Sequence, residues 1–180
     1  MAARPHCAVI FDIDGPLLHL TPLEERAFFA PFEQLHGLTG LSNDWDSYKV
    51  RNDEDIIIEI LEKHFGRPPQ TEEVSELAAR YAEVLEQGYV DGTLEVSEVP
   101  GAKNLLHALH EAGGIALGTA TANVLHAAQT RLTEAGMWDY VKHHPGAADG
   151  GGAKRDVLAR VIEPLDISRD RIVFLGDNLN

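Results

Sequence analysis

Apolar positions along the chain change their period twice. Residues 7–11, Cys-Ala-Val-Ile-Phe, form an unbroken apolar run that ends in Asp12-Ile13-Asp14-Gly15. Continuous apolar character of this kind predicts a strand buried on both faces, as in a parallel sheet. From residue 21 the period becomes helical. Thr21-Pro22-Leu23-Glu24 reads as a capping box with proline at the first helical position, opening a helix towards His36. Residues 37–52 hold no clear period and read as loop. Asn52 or Asp53 then caps an amphipathic helix that runs through Ile56, Ile57 and Ile58 to Phe65 and stops at Gly66. A further helix is predicted over 71–88, with Val74, Leu77, Ala78, Tyr81 and Leu85 along one face.

After Pro100-Gly101 the rhythm alternates: helix 102–112, strand 115–120, helix 124–135, a short strand within 141–147, helix 154–165 and strand 171–175 running into Gly176-Asp177-Asn178. Such alternation predicts a parallel sheet joined by right-handed crossovers. The all-helical stretch before it does not take part. The expected fold class is therefore α/β, a Rossmann-like parallel sheet core (residues 1–16 and 96–180) with an inserted α-helical cap domain (residues 17–95).

Composition narrows the partners. A net charge of −14 argues against nucleic acid or an anionic membrane surface, which favour clustered Lys and Arg. It leaves room for a small phosphorylated metabolite, because a bound divalent cation reverses the local field. The single cysteine, Cys7, has no internal disulfide partner. This points to a reducing compartment, and its place at the start of an apolar run reads as a buried, inert thiol. No apolar stretch approaches the ~18 residues of a membrane span, and the first six residues lack a signal-peptide core. A cytoplasmic protein without a membrane partner is expected. His107 with His110, and His143 with His144, lack a nearby third ligand for zinc. Trp45 and Trp138 read as packing residues, and Arg51 at the end of a loop as a candidate substrate contact.

In an open parallel sheet, ligands sit beyond the carboxyl ends of the strands. Three predicted strands end there in reactive residue types: Asp12 and Asp14, then Thr121 and Asn123, then Asp177, with Lys154 opening the helix before the third. Hydrolysis of a phosphate ester needs this set. Mg²⁺ held by carboxylates offsets the repulsion between an anionic nucleophile and the phosphoryl oxygens. A carboxylate nucleophile splits one hard step into two. A second carboxyl moves the proton, and a hydroxyl and an ammonium hold the remaining oxygens. Thr119 competes with Thr121 for the hydroxyl role, Arg155 stands beside Lys154, and Asn123 serves equally well as a helix N-cap.

The segment Phe11-Asp12-Ile13-Asp14-Gly15 resembles the first motif of the haloacid dehalogenase superfamily, usually Asp-x-Asp-Gly-Thr. Thr121-Ala122-Asn123 resembles its second motif, Lys154 its third, and Gly176-Asp177-Asn178-Leu179-Asn180 the start of its fourth. A helical insertion between the first and second motifs is similar to the cap of the phosphoglycolate phosphatase-like subgroup. The resemblance implies that Asp12 is nucleophile and Mg²⁺ ligand. Asp14 would be general acid and base, with its backbone carbonyl on the metal. Thr121 and Asn123 would bind the phosphoryl group, Lys154 would balance charge, and Asp177 would complete the metal site. Arg51-Asn52-Asp53 is similar to an Arg-Thr-Asp stretch in a cap loop facing the site.

Dehalogenases of the superfamily resemble the chain less, since they lack the acid that Asp14 supplies. What the resemblance implies is a Mg²⁺-dependent phosphatase acting on a small phosphomonoester through an aspartyl-phosphate, under a cap that opens and closes. A non-catalytic relative kept as a binding or regulatory module, and a sugar phosphomutase, remain open alternatives. Two departures stand out. Pro16 takes the place of the usual Thr, and the sequence stops short of the fourth motif's further acid and of a last strand and helix, as expected of a fragment.

Overall fold

The computed structural model describes residues 5–177; Asn178, Leu179 and Asn180, the end of the fourth-motif match, lie outside the described residues. In chain order the elements are β1 (Cys7–Phe11), β2 (Leu18–His19), α1 (Pro22–His36), α2 (Asp53–Phe65), α3 (Thr71–Asp91), β3 (Ser97–Glu98), α4 (Ala102–Ala112), β4 (Ile115–Ala120), α5 (Leu125–Glu134), α6 (Trp138–Val141), β5 (Pro145–Gly146), α7 (Lys154–Ile162) and β6 (Ile172–Leu175). Four of the strands form one parallel sheet in the order β5-β4-β1-β6.

The apolar run that predicted β1 sits in the sheet's interior, and its side chains part to two faces. Phe11 joins Leu106, Leu117, Ala128 and Leu132 beneath α4 and α5. Ala8 and Ile10 join Ala116, Val157 and Val161 beneath α7. Helices on both faces explain why β1 is apolar throughout instead of alternating. Cys7 is half-buried rather than buried, because it begins the strand at the sheet's lower end.

Register then decides where chemistry can gather. Phe11 of β1 lies opposite Thr119 of β4 and Leu175 of β6. The three carboxyl ends are therefore level, and Asp12, Thr121 and Asp177 leave the sheet at the same edge.

The segment from α1 to α3 builds a core of its own. Phe28, Phe32, Ile56, Ile57, Leu61, Leu77, Tyr81 and Leu85 pack together, joined by Val124 and Ala127 at the start of α5. Trp45, in a short 3₁₀ turn within the predicted loop, stacks on Phe29 with ring centroids 5.5 Å apart and donates its indole N–H to Glu25. Trp138 packs against the core under α4 and α5. Thr21 and Glu24 form the predicted capping box, and Asn52 caps α2 by accepting from the Asp55 amide.

Where the chain enters and leaves this helical segment, β2 and β3 pair antiparallel, Leu18 opposite Glu98 and His19 opposite Ser97. Two-residue strands carry no readable period, so the sequence pattern does not predict them. The short strand expected within 141–147 shrinks to Pro145–Gly146, because Val141 closes a helical turn and proline cannot donate to the ladder. No helix among the described residues is long and apolar enough to cross a membrane.

Candidate active site

A cleft of about 1000 Å³ opens above the level strand ends, and Asp12, Asp14, Arg51, Thr121, Lys154 and Asp177 all line it. Asp12 follows β1 directly, and its amide donates to Leu175 O at 2.8 Å. Its side chain is almost wholly buried. One oxygen accepts from the Ile13 amide at 2.9 Å and the other from Lys154 Nζ. Burial pushes the Asp12 carboxyl above its ordinary range, and Lys154 opposes that rise without cancelling it. Lys154 is the first residue of α7, which is why a lysine so distant in sequence reaches the end of β1.

The turn after β1 is closed by amides of Gly15, Leu17 and Leu18, bonded to Leu18 O and Ile13 O. The N–H that Pro16 lacks is not one of these donors, so proline fits where the family usually has threonine. Gly15 has φ +100°, and a Cβ there would stand 2.6 Å from Asp177 Cγ. Only glycine permits this approach, which brings the Asp177 carboxyl against the Asp12–Gly15 loop.

The second strand end sorts its two threonines. Thr119 spends its hydroxyl on Gly146, accepting from its amide and donating to its carbonyl, both at 3.2 Å. Thr121 lines the cleft, its hydroxyl accepting from the Asn123 amide at 3.2 Å. Asn123 does not line the cleft. Nor does it cap α5, whose N-cap position is Val124. Its side-chain oxygen instead accepts from Arg131 Nη1 at 2.9 Å in a buried contact. Arg155 is exposed and pairs loosely with Asp156, leaving Lys154 as the cleft's lysine. Arg51, at the rim, pairs with Asp46 at 2.6 Å.

The start of α2 is stitched to both loops that frame the cleft. Asp53 donates its amide to Ala122 O and accepts from the Val124 amide. Asn52 donates to Gly152 O, while Glu54 and Asp55 accept from the Gly150 and Gly152 amides.

Asp53 carries a measurable consequence. Burial pushes its carboxyl up to about 7, helped by Asp14 and Asp149 and opposed by the Val124 amide and Arg131. A folded-state value above the ordinary 3.8 means the native protein holds this proton more tightly than the unfolded chain. Stability should therefore fall as pH rises from about 4 to about 7 and level off above, by at most ~4 kcal/mol. The amide end of α2 offsets part of that cost. Asp53→Asn is expected to flatten this dependence and raise the urea midpoint at pH 8. An unchanged pH dependence in the variant would contradict it.

Behind Asp14 converge Arg131 and Tyr89, which the sequence pattern did not single out, and Glu24, which it marked only for a capping box. Arg131, fully buried on α5, ion-pairs with Asp14 at 2.8 Å and with Glu24 at 3.0 Å, and Tyr89 donates its hydroxyl to Glu24 at 2.6 Å. Asp53 lies close enough for its carboxyl to feel both Asp14 and Arg131. One signal was present: Arg131 shares the helical face of Ala127 and Ala128, which the core claims.

Among the described residues, no three His, Cys, Asp or Glu side chains are set to hold a metal by themselves. Of the carboxylates that line the cleft, Asp12 and Asp177 are all-oxygen donors of the kind Mg²⁺ takes while keeping several waters. That donor set fits Mg²⁺ and does not suit zinc. His107 and His110 instead flank Tyr140.

A family model described as haloacid dehalogenase-like hydrolase matches residues 8–180. Among solved structures, CbbY from Rhodobacter sphaeroides in complex with phosphate is 21% identical over 96% of this chain and 78% of its own, with a TM-score of 0.66. A hydrolase from Pseudomonas syringae is 17% identical over 95% of this chain and 76% of its own, also at 0.66. YfnB from Bacillus subtilis, bound to magnesium, is 21% identical over 97% of this chain and 81% of its own, at 0.58. At these identities the likeness is one of fold. No curated protein matches the sequence.

Proposed function

Because the chain belongs to the haloacid dehalogenase-like hydrolases, we propose that it is a Mg²⁺-dependent phosphatase that hydrolyses a small phosphomonoester through an aspartyl-phosphate on Asp12. The observation that carries the reading is Asp12 itself. A nearly buried carboxylate at the end of an interior strand is held by Lys154 and faces a cleft shared with Asp14, Thr121 and Asp177.

In the first step an Asp12 oxygen attacks phosphorus. The P–O bond to the leaving alcohol breaks, and Asp14 gives that oxygen its proton. In the second step Asp14 takes a proton from water, which attacks the phosphorus of the acyl phosphate and frees Asp12 and inorganic phosphate. Thr121 and Lys154 hold the phosphoryl oxygens meanwhile. Mg²⁺, held by Asp12, Asp177 and the Asp14 carbonyl, would supply positive charge against the phosphoryl oxygens.

Residues 17–95 act as the cap in this reading, and residues 1–16 and 96–180 as the core. The β2–β3 pair marks the two crossings between them, and Arg51 waits at the rim for the substrate's remote end. The phosphate bound to CbbY and the magnesium bound to YfnB are consistent with this chemistry in proteins of the same fold.

The test is release of inorganic phosphate from 4-nitrophenyl phosphate. Turnover should require Mg²⁺, stop with EDTA and return when Mg²⁺ is restored. Phosphoryl transfer to a sugar with little free phosphate would indicate a mutase instead. No turnover of any phosphomonoester by the folded, Mg²⁺-loaded protein would remove the proposal.

A further inference from the structure

Arg131 is a costly residue to bury. Its side chain is 0% exposed, as is that of Glu24, while Asp14 stands between cleft and interior at 32%. A guanidinium without water must have its donors satisfied or lose several kcal/mol. Here Nε donates to Glu24, Nη1 to Asn123 at 2.9 Å, and Nη2 pairs with Asp14 and lies 3.5 Å from His19 O. All three nitrogens are engaged, so the planar fork cannot turn without giving up charge-assisted contacts.

Glu24 is held in turn. Its second oxygen accepts from the Thr21 amide at 2.8 Å, and the oxygen facing Arg131 also accepts from Tyr89. A continuous polar line thus runs from Tyr89 on α3, through Glu24 on α1, to Arg131 on α5 and then to Asp14. It begins in the helical segment and ends on the acid of the cleft.

We propose that Arg131 is a positioning residue for Asp14: it sets the aim of that carboxyl and takes its own position from Glu24 and Tyr89 on the helical segment. The proposal rests on the reading of Asp14 as the group that protonates the leaving oxygen. A positioned acid is worth about 10²–10⁴-fold, and a displacement of about 1 Å can cost ~10²-fold. Docking of the helical segment onto the sheet thereby decides whether Asp14 can serve.

The test compares two substrates by kcat/KM, which reports only steps up to the first irreversible one. 4-Nitrophenolate departs without a proton, whereas the alkoxide of ethyl phosphate needs one. The double variant Glu24→Gln/Arg131→Met removes both buried charges at similar volume and so preserves folding. It should lose at least about 100-fold more on ethyl phosphate than on 4-nitrophenyl phosphate. Tyr89→Phe should shift the ratio in the same direction by a smaller factor. Loss by one common factor on both substrates, or no loss on either, overturns the proposal.

Crystal structures of the wild type and the double variant give a readout independent of turnover. If the wild type hydrolyses neither substrate, or only the aryl one, they decide. An Asp14 carboxyl displaced by about 1 Å or more upholds the positioning role, and an unmoved one overturns it. Failure of the phosphatase reading is thus separated from failure of this one.

Discussion

Asp12→Asn is expected to lower phosphate release by at least ~10⁴-fold, the scale on which removal of a covalent nucleophile acts. The substitution changes one atom's chemistry and almost nothing of shape. The side-chain oxygen that accepts from the Ile13 amide can be kept, while the oxygen that meets Lys154 becomes an amide nitrogen. An amide cannot form the acyl phosphate, so the two-step route closes entirely. Folding should survive, because burial already disfavours a charge at this position. Steady-state phosphate release at saturating Mg²⁺, with circular dichroism as the control for folding, makes the comparison. Activity within tenfold of wild type would move the nucleophile to another residue.

That prediction depends on a residue legible from sequence, and the reason is physical. Asp12 stands at the end of an apolar run, and the parallel sheet implied by the later alternation puts strand ends on one edge. Asp177 and Lys154 were legible on the same grounds, one after a strand and one at a helix start. Thr121 was ambiguous with Thr119 because the two stand two positions apart, one near the end of β4 and one just beyond it. The difference lies in Gly146 of the neighbouring strand, which claims the Thr119 hydroxyl.

Asn123 shows where pattern fails. Its spacing suits a phosphate contact or an N-cap, yet Arg131 claims it. Buried polar partners of this sort are chosen by tertiary packing, and Glu24 and Arg131 stand 107 positions apart. Glu24 was visible only through its local role in the capping box, which uses one of its oxygens and conceals the use of the other. The β2–β3 pair escaped for a related reason: its strands are too short to carry a period, and each finds its partner across the whole helical segment.

Arg131→Met, made alone, is expected to destabilise the protein by ~3–5 kcal/mol at neutral pH, the cost of leaving a buried carboxylate without its cation. Burial by itself pushes the Glu24 carboxyl up. Arg131, with Tyr89 and Thr21, outweighs burial and holds it below its ordinary value of 4.5. A depressed folded-state value contributes stability above the unfolded value, which is lost as pH falls through the folded one. Without Arg131 the sign reverses, because burial then dominates and the native variant prefers protonated Glu24. The deficit against wild type should accordingly be largest at neutral pH and narrow on acidification. Glu24→Gln added to Arg131→Met should recover most of it, since the uncharged amide can keep its oxygen on the Thr21 amide and donate its NH2 to the Tyr89 hydroxyl, which turns to accept. Urea unfolding of the three proteins at several pH values measures both effects. A single variant as stable as wild type, or a double variant no better than the single, would show that the Glu24–Arg131 pair does not join the helical segment to the sheet.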